Sequence, residues 1–365
     1  MQLADYFSRP FQDTELRSSY KKFIALYPKT RQRDVAQALS VSEAALIDEQ
    51  LGLQSIRLKT DFKALIEDLP KLGYIMNLTR NNYAVHERKG EYQNININGP
   101  MGLVIADDKK IDLRLFLSKW KHVYAVRENT KQGDRYSLQF FDQSGVAIQK
   151  IFLQEKSNFD HYRYLLESYV SDHQSESIVF VGKPSDIAIA STEVNAQQLV
   201  IDWQSMTDVH QFIHILKKHK VERQQAFRIV GSEYAEDFSP AELERILVSA
   251  AEMQLPIMCF VGNSGGIQIF SGKINKVKAM GPWLNILDPE FNLHLMETGI
   301  AEAWLVRKPT IDGIVTSLEF YDIDGNQVVQ FFGQRQERHK ENPLWTQLAE
   351  SVLANNVPYK QSTVA

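Results

Sequence analysis

Phe140-Phe141-Asp142 with Gly145 returns as Phe320-Tyr321-Asp322 with Gly325, a matching aromatic-Asp-Gly pattern at the same spacing displaced by 180 positions. The same displacement pairs Leu113 with Leu293, Leu115 with Leu295, Tyr124 with Trp304, Val126 with Val306 and Arg127 with Arg307. Gly99-Pro100 matches Gly281-Pro282 with a displacement of 182, so the register holds apart from a small insertion. A chain of 365 residues built this way holds two copies of one unit. The unit is far longer than a solenoid repeat, so each copy needs a core of its own.

Within each copy, helical periodicity comes first and short alternating strands follow. Residues 14–27, 31–39, 42–50 and 59–69 read as helices. From Tyr74 the pattern changes to strands in YIMNLT, YAVHERKGEY, GLVIAD, IDLRLFL, HVYAVREN, RYSLQFFD and VAIQKIFL, with turn residues such as Asp142-Gln143-Ser144-Gly145 between them. A helix over 158–170 and a bridging passage over 171–195, with a buried-type strand SIVFVG, lead to the second copy. There, helices over 205–223 and 241–253 are followed by IMCFVG, GIQIFSG, WLNILD, FNLHLME, IAEAWLVRK, VTSLEFYD and QVVQFFG. The fold class expected is α+β, a tandem repeat of two similar halves, each a helical segment plus a large antiparallel β-sheet meander. Its domains would be residues 1–180 and 181–365.

Several functions are disfavoured. The net charge of −4 gives no global attraction to nucleic acid. RDVAQALSVSEAALI imitates a helix-turn-helix, but its second helix, SEAALIDEQ, has no Arg or Lys for phosphates or guanine edges. The single cysteine, Cys259, excludes an intrachain disulfide framework, suits a reducing cytoplasm and sits in an apolar strand as core. Neither a secretory signal nor an apolar run of membrane-spanning length is visible, so the expected location is cytoplasmic. His210 and His214 stand at zinc-protease spacing, but Gln211 occupies the place of the general-base Glu. The turns GNSGG and GKPSD match no dinucleotide or Walker loop, and no G-x-S-x-G elbow occurs.

The stretch SMTDVHQFIHILKKHKVER, residues 205–223, puts His210 near the start of an amphipathic helix. Ser205 or Thr207 is placed to cap it; Met206, Val209, Phe212, Ile213 and Leu216 form an apolar stripe, and cations gather in its last turn. In a duplicated frame, functional chemistry should lie where matched positions diverge. Arg114 opposes His294. Alternation in IDLRLFL puts Ile111, Leu113 and Leu115 on one face and Asp112, Arg114 and Phe116 on the other.

MTDVHQF, RQQAF, FVGN, GPWLNI, AEAWLVRKPT, TSLEFYD and QFFGQR, with NNYAVHE, IDLRLFL, VREN and SLQFFD in the first copy, resemble the HemS/ChuS/HmuS proteins, bacterial cytoplasmic haem-handling and haem-degrading factors. The likeness runs almost end to end. It implies large antiparallel sheets packed with helices and haem (iron protoporphyrin IX) in a cleft beside the second repeat. It places the iron ligand on His210, the distal arginine on Arg114, and the propionate cations on Arg223, Lys308 and Arg335. Phe116, Met258, Phe260, Trp283 and Phe332 become the apolar walls. The family often has Tyr where Phe332 stands here, which removes one hydrogen bond to a propionate.

The resemblance therefore implies a cytoplasmic haem-binding protein of a haem-uptake system that opens haem oxidatively to release iron, with electrons from an external reductase. Two alternatives stand beside it: a carrier that delivers haem to a separate haem oxygenase, and, more distantly, a haem-responsive DNA-binding regulator. No specific nucleic acid or membrane span is expected. A homodimer, and a second haem site at His86, are left open.

Overall fold

The computed structural model describes residues 3–7, 14–174, 176, 178–182, 194–335 and 339–354. Among the described residues the first copy contributes nine strands: β1 (Ser55–Arg57), β2 (Gly73–Arg80), β3 (Ala84–Gly90), β4 (Ile95–Asn98), β5 (Met101–Ile105), β6 (Asp112–Phe116), β7 (His122–Thr130), β8 (Gly133–Phe141) and β9 (Ala147–Ser157). The second contributes nine more: β10 (Ala235–Phe238), β11 (Ile257–Asn263), β12 (Gly266–Gly272), β13 (Val277–Met280), β14 (Trp283–Leu287), β15 (Phe291–Met296), β16 (Glu302–Thr310), β17 (Gly313–Tyr321) and β18 (Gln327–Gly333). Helices α1 (Glu15–Leu26), α2 (Gln32–Ala38), α3 (Glu43–Asp48), α4 (Phe62–Asp68) and α5 (Phe159–Tyr169) belong to the first copy. Helices α6 (Ala196–Gln204), α7 (Gln211–His219), α8 (Arg223–Val230), α9 (Glu242–Glu252) and α10 (Pro343–Ala354) belong to the second.

The strands form two nine-stranded sheets, in the orders β1-β7-β8-β9-β2-β3-β15-β14-β13 and β10-β16-β17-β18-β11-β12-β6-β5-β4. The second order is the first with the roles of the copies exchanged. By contacts the chain divides into one unit of Met1–Arg80, Glu87–Ser185 and Asn263–Gln268, and another of Asn81–His86, Asp186–Gly262 and Ile269–Ala365.

The repeat holds down to single hydrogen bonds. Thr130 Oγ1 donates to the Gly133 carbonyl at 2.7 Å, and Thr310 Oγ1 to that of Gly313 at 2.7 Å. The next hairpin in each copy is closed by an aspartate. Asp142 Oδ1 accepts from the Ser144 and Val146 amides, and Asp322 Oδ1 from the Asp324 and Asn326 amides. Gly145 and Gly325 turn these hairpins at φ of 76° and 80°, a left-handed conformation that a side chain would strain.

In the first unit, α4 and α5 bring Leu65, Ile66, Tyr162, Leu165 and Leu166 onto Ile56, Trp120, Leu138 and Phe140. In the second, alternation on β16 to β18 makes two buried faces. Leu305, Leu318, Phe320, Val329 and Phe331 meet α9 and α10, whereas Trp304, Val306 and Tyr321 meet Trp203 of α6, Phe212 of α7 and Phe227 of α8.

Several sequence expectations need correction. Residues 205–223 are not one helix: Ser205 ends α6, α7 starts at Gln211, and Ile213 is exposed while Ile215 is buried. In SIVFVG the described residues 178–182 form no strand, and Val179 and Val181 are exposed. Most of GKPSD, residues 183–186, lies outside the described residues. The helix pair α2–α3 exists, but α3 buries Glu43, Ala44, Leu46 and Ile47, so that face is core. No helix among the described residues is long and apolar enough to cross a membrane.

Candidate functional site

His210 lies on the connection between α6 and α7, at the position preceding the first helical residue, with φ −69° and ψ −22°. Its side chain is 89% exposed, yet its ring is not loose. Asp208 Oδ1 accepts from the His210 backbone N–H at 2.7 Å and from Nδ1 at 2.6 Å. A carboxylate only accepts, so Nδ1 carries a proton, and in the neutral ring this leaves the lone pair on Nε2. The His210 N–H is the largest influence holding the Asp208 carboxyl below the usual carboxylate range, with the ring and the charge of Arg335 adding to it. Gln211 Oε1 accepts the Thr207 N–H at 2.8 Å, which fixes the entry to α7 from the other side.

Phe212, two residues on, points the other way, into the core, and carries two cations over its ring. The Arg223 guanidinium carbon is 4.8 Å from the ring centre and Lys308 Nζ is 4.9 Å from it. Both cations also converge on Glu319, whose side chain is fully buried. Arg223 Nε donates to Glu319 Oε2 at 2.9 Å and Lys308 Nζ to Oε1 at 2.7 Å. Ser317 Oγ and Tyr321 Oη donate to it at 2.9 and 2.6 Å, and Gln327 Nε2 donates to Oε2 at 3.4 Å. Burial alone would push the Glu319 carboxyl up, but Arg223 and Lys308 outweigh it and hold the group well below the usual range. Burial pulls Lys308 down despite Glu319. With two cations on one carboxylate, this cluster carries an excess of one positive charge.

Lys308, Ser317, Glu319 and Tyr321 share a sheet face with Phe332, Phe260 and Met258. Ser317 pairs with Phe332, which pairs with Met258, and the Phe260 and Phe332 rings meet edge-on at 5.0 Å. All three apolar side chains are half-buried, and Lys308 Nζ is 5.9 Å from the Phe332 ring. Arg335 leaves the end of β18 and lies 4.0 Å from Asp312 at the tip of the β16–β17 hairpin. The Ile311 N–H in that tip donates to the Thr207 carbonyl at 3.0 Å, which ties the hairpin to the His210 connection.

The second unit thus brings together His210, Arg223, Lys308, Arg335, Met258, Phe260 and Phe332. Trp283 is elsewhere, on β14 of the other sheet, paired with Met280 and Met296. Arg114 and Phe116 are on β6, described with the first unit. There Ile111, Leu113 and Leu115 are buried as alternation requires, while Arg114 and Phe116 are half-exposed. Arg114 pairs with Asp112, whose carboxyl is pushed up by burial in spite of that partner. His86 is fully buried, its ring 5.0 Å from that of Phe291.

Asp208 and Glu319 were missed from the sequence. Asp208 lies within MTDVHQF, but nothing in the sequence marks it as the partner of the histidine. For Glu319 a signal existed: SLQFFD in the first copy against SLEFYD in the second puts Gln139 opposite Glu319.

Fold and site together define a duplicated α+β protein with an anchored, solvent-facing imidazole beside a positively charged cluster and an aromatic floor. The model of the haemin-degrading HemS/ChuX domain matches residues 40–169 and 220–352, and the chain belongs to that family. It is 38% identical over 348 residues to the hemin transport protein HmuS of Yersinia pestis, covering 94% of this chain and 99% of that one. Holo-PhuS, a heme-binding protein from Pseudomonas aeruginosa, superimposes with a TM-score of 0.89 at 44% identity over 93% of this chain and 98% of that one. ChuS, an E. coli heme oxygenase, gives 0.83 at 38% identity over 92% and 99%.

Proposed function

We propose that this chain is a cytoplasmic haem-binding protein of a haem-uptake system, and that it opens haem oxidatively to release iron. The observation that carries the reading is His210 held through Nδ1 by Asp208 with its Nε2 face exposed. One imidazole suits a metal that arrives with its own equatorial ligands, and a carboxylate on the far nitrogen fixes the tautomer and strengthens the donor. The rest of the second-unit surface fits the same ligand: Met258, Phe260 and Phe332 offer an apolar floor, and Arg223, Lys308 and Arg335 offer cations to carboxylates. Phe116 and Trp283 are assigned to the apolar walls on motif position alone.

When bound, haem supplies an iron centre able to activate dioxygen once electrons arrive from an external donor. The chain contributes orientation through His210 and Asp208, and charge complementarity through the cations. Arg114 is the proposed catalytic donor. Its guanidinium is always charged, and Asp112 keeps it directed on its strand face. The competing reading is a carrier that hands haem to a separate oxygenase, favoured by the transport role of the Yersinia relative. The deciding experiment follows the Soret band of haem-loaded protein after adding an electron donor in air, with catalase present to remove free peroxide. Oxidative opening predicts loss of the band with release of iron; a band that persists with every donor leaves the carrier.

A further inference from the structure

Glu319 sits where the first copy has Gln139, in both copies preceded by Ser-Leu and followed by Phe. The matched strands are built alike. Ser137 pairs with Phe152 as Ser317 pairs with Phe332, and both copies carry a register irregularity one residue after the glutamine or glutamate. In the first copy the amide of Gln139 simply donates to Ser137 Oγ at 3.0 Å. The frame therefore folds with a neutral side chain at this position, and a carboxylate there is not a requirement of the sheet. Two further matched positions change with it. Lys308 stands where the first copy has Glu128, and Tyr321 where it has Phe141. The second copy has acquired a buried carboxylate, a buried lysine and a hydroxyl together, and they bond to one another.

Burying charges is costly unless they are paired and bonded. Arg223 and Lys308 share the single carboxylate of Glu319, as Arg80 and Lys150 share that of Glu43 in the first copy, but the Arg223 side chain is more exposed than either first-copy cation. Glu319 holds Arg223 through two contacts, Nε at 2.9 Å and Nη2 at 3.4 Å, and the Arg223 side chain remains 25% exposed where Lys308 is 3% exposed. We propose that Glu319 is a positioning residue that fixes Arg223 and leaves the cluster one positive charge in excess, so that the site selects ligands bearing a carboxylate. This rests on the haem-binding reading and deepens it. Arg223 is the more exposed of the two cations; Lys308, besides adding to the positive charge of the site, offsets Glu319 so that Arg223 is held without being cancelled.

The test measures, on the full chain, the affinities for haem and for haem dimethyl ester, which lacks the carboxylates. The readout is their ratio, which a general loss of structure would not change. Wild type is expected to prefer haem by about tenfold or more, the size of one charge-assisted bond. Glu319→Gln, the residue the first copy already carries, adds to the positive excess but frees Arg223 from its two contacts, and it is expected to remove most of that preference; a preference that rises instead overturns the positioning role. Glu319→Asp keeps the charge but draws the carboxylate back by one methylene, and it is expected to reduce the ratio too. A wild-type ratio retained in both variants overturns the role of Glu319. A wild type that binds haem with no preference over the ester overturns the propionate clamp itself, and one that binds neither defeats the haem reading.

Discussion

The Asp208 carboxylate bonds both to the backbone N–H of His210 and to Nδ1 of its ring, at 2.7 and 2.6 Å. An exposed histidine is thereby held in one orientation and one tautomer without being buried. Removing such an outer partner typically weakens metal affinity or activity by about 10–100-fold. Asp208→Ala should weaken haem binding by that amount, measured by Soret titration at pH 7, and Asp208→Asn should fall between it and wild type.

Arg114→Ala should separate binding from turnover. His210, the aromatic floor and the second-unit cations are untouched by the change, so haem affinity should stay near that of wild type. Loss of one preorganised donor near developing charge costs roughly 2.7–4 kcal/mol, or about 10²–10³ in rate. The donor-driven loss of the Soret band, with catalase present, should slow by that factor; a mutant at the wild-type rate removes Arg114 from the chemistry.

Glu43 makes a prediction about stability. It is buried between Arg80 and Lys150; burial pushes its carboxyl up, but the two cations prevail and set its pKa at about 2. An unfolded glutamate titrates near ~4.3, so the folded-state value is the lower one. The stabilisation is therefore complete above about pH 4.3 and lost as the pH falls toward 2. Glu43→Gln should cost about 3–5 kcal/mol at pH 7, because it strands two buried cations. It should also flatten the fall in stability below pH 4.3, measured by denaturant melts at a series of pH values.

Much of this was legible in the sequence. Ile111, Leu113 and Leu115 are buried and Arg114 and Phe116 half-exposed as strand alternation predicts, whereas Asp112, expected on the face of Arg114, is buried. The 180-residue displacement was borne out in paired hairpins. What stayed hidden had physical causes. Strands β1 and β10, of three and four residues, are too short to show a period. The exchange of β4 to β6 with β13 to β15 between sheets was also hidden, because alternation records burial but not which copy supplies the neighbour. Glu319 carries no local sign of its burial, because Arg223 reaches it from 96 residues away and Lys308 from the neighbouring strand. Trp283 shares a motif with the family but is on a different sheet from Phe260 and Phe332.

The most direct measurement compares the haem spectra of wild type, His210→Ala and His86→Ala. His86 is fully buried against Phe291, so its loss should lower stability while leaving the haem spectrum and affinity unchanged. His210→Ala should lose the wild-type Soret position and most of the affinity. A His210→Ala protein with the wild-type spectrum, or a His86→Ala protein that folds but no longer shows it, would contradict the assignment of His210 as the haem ligand.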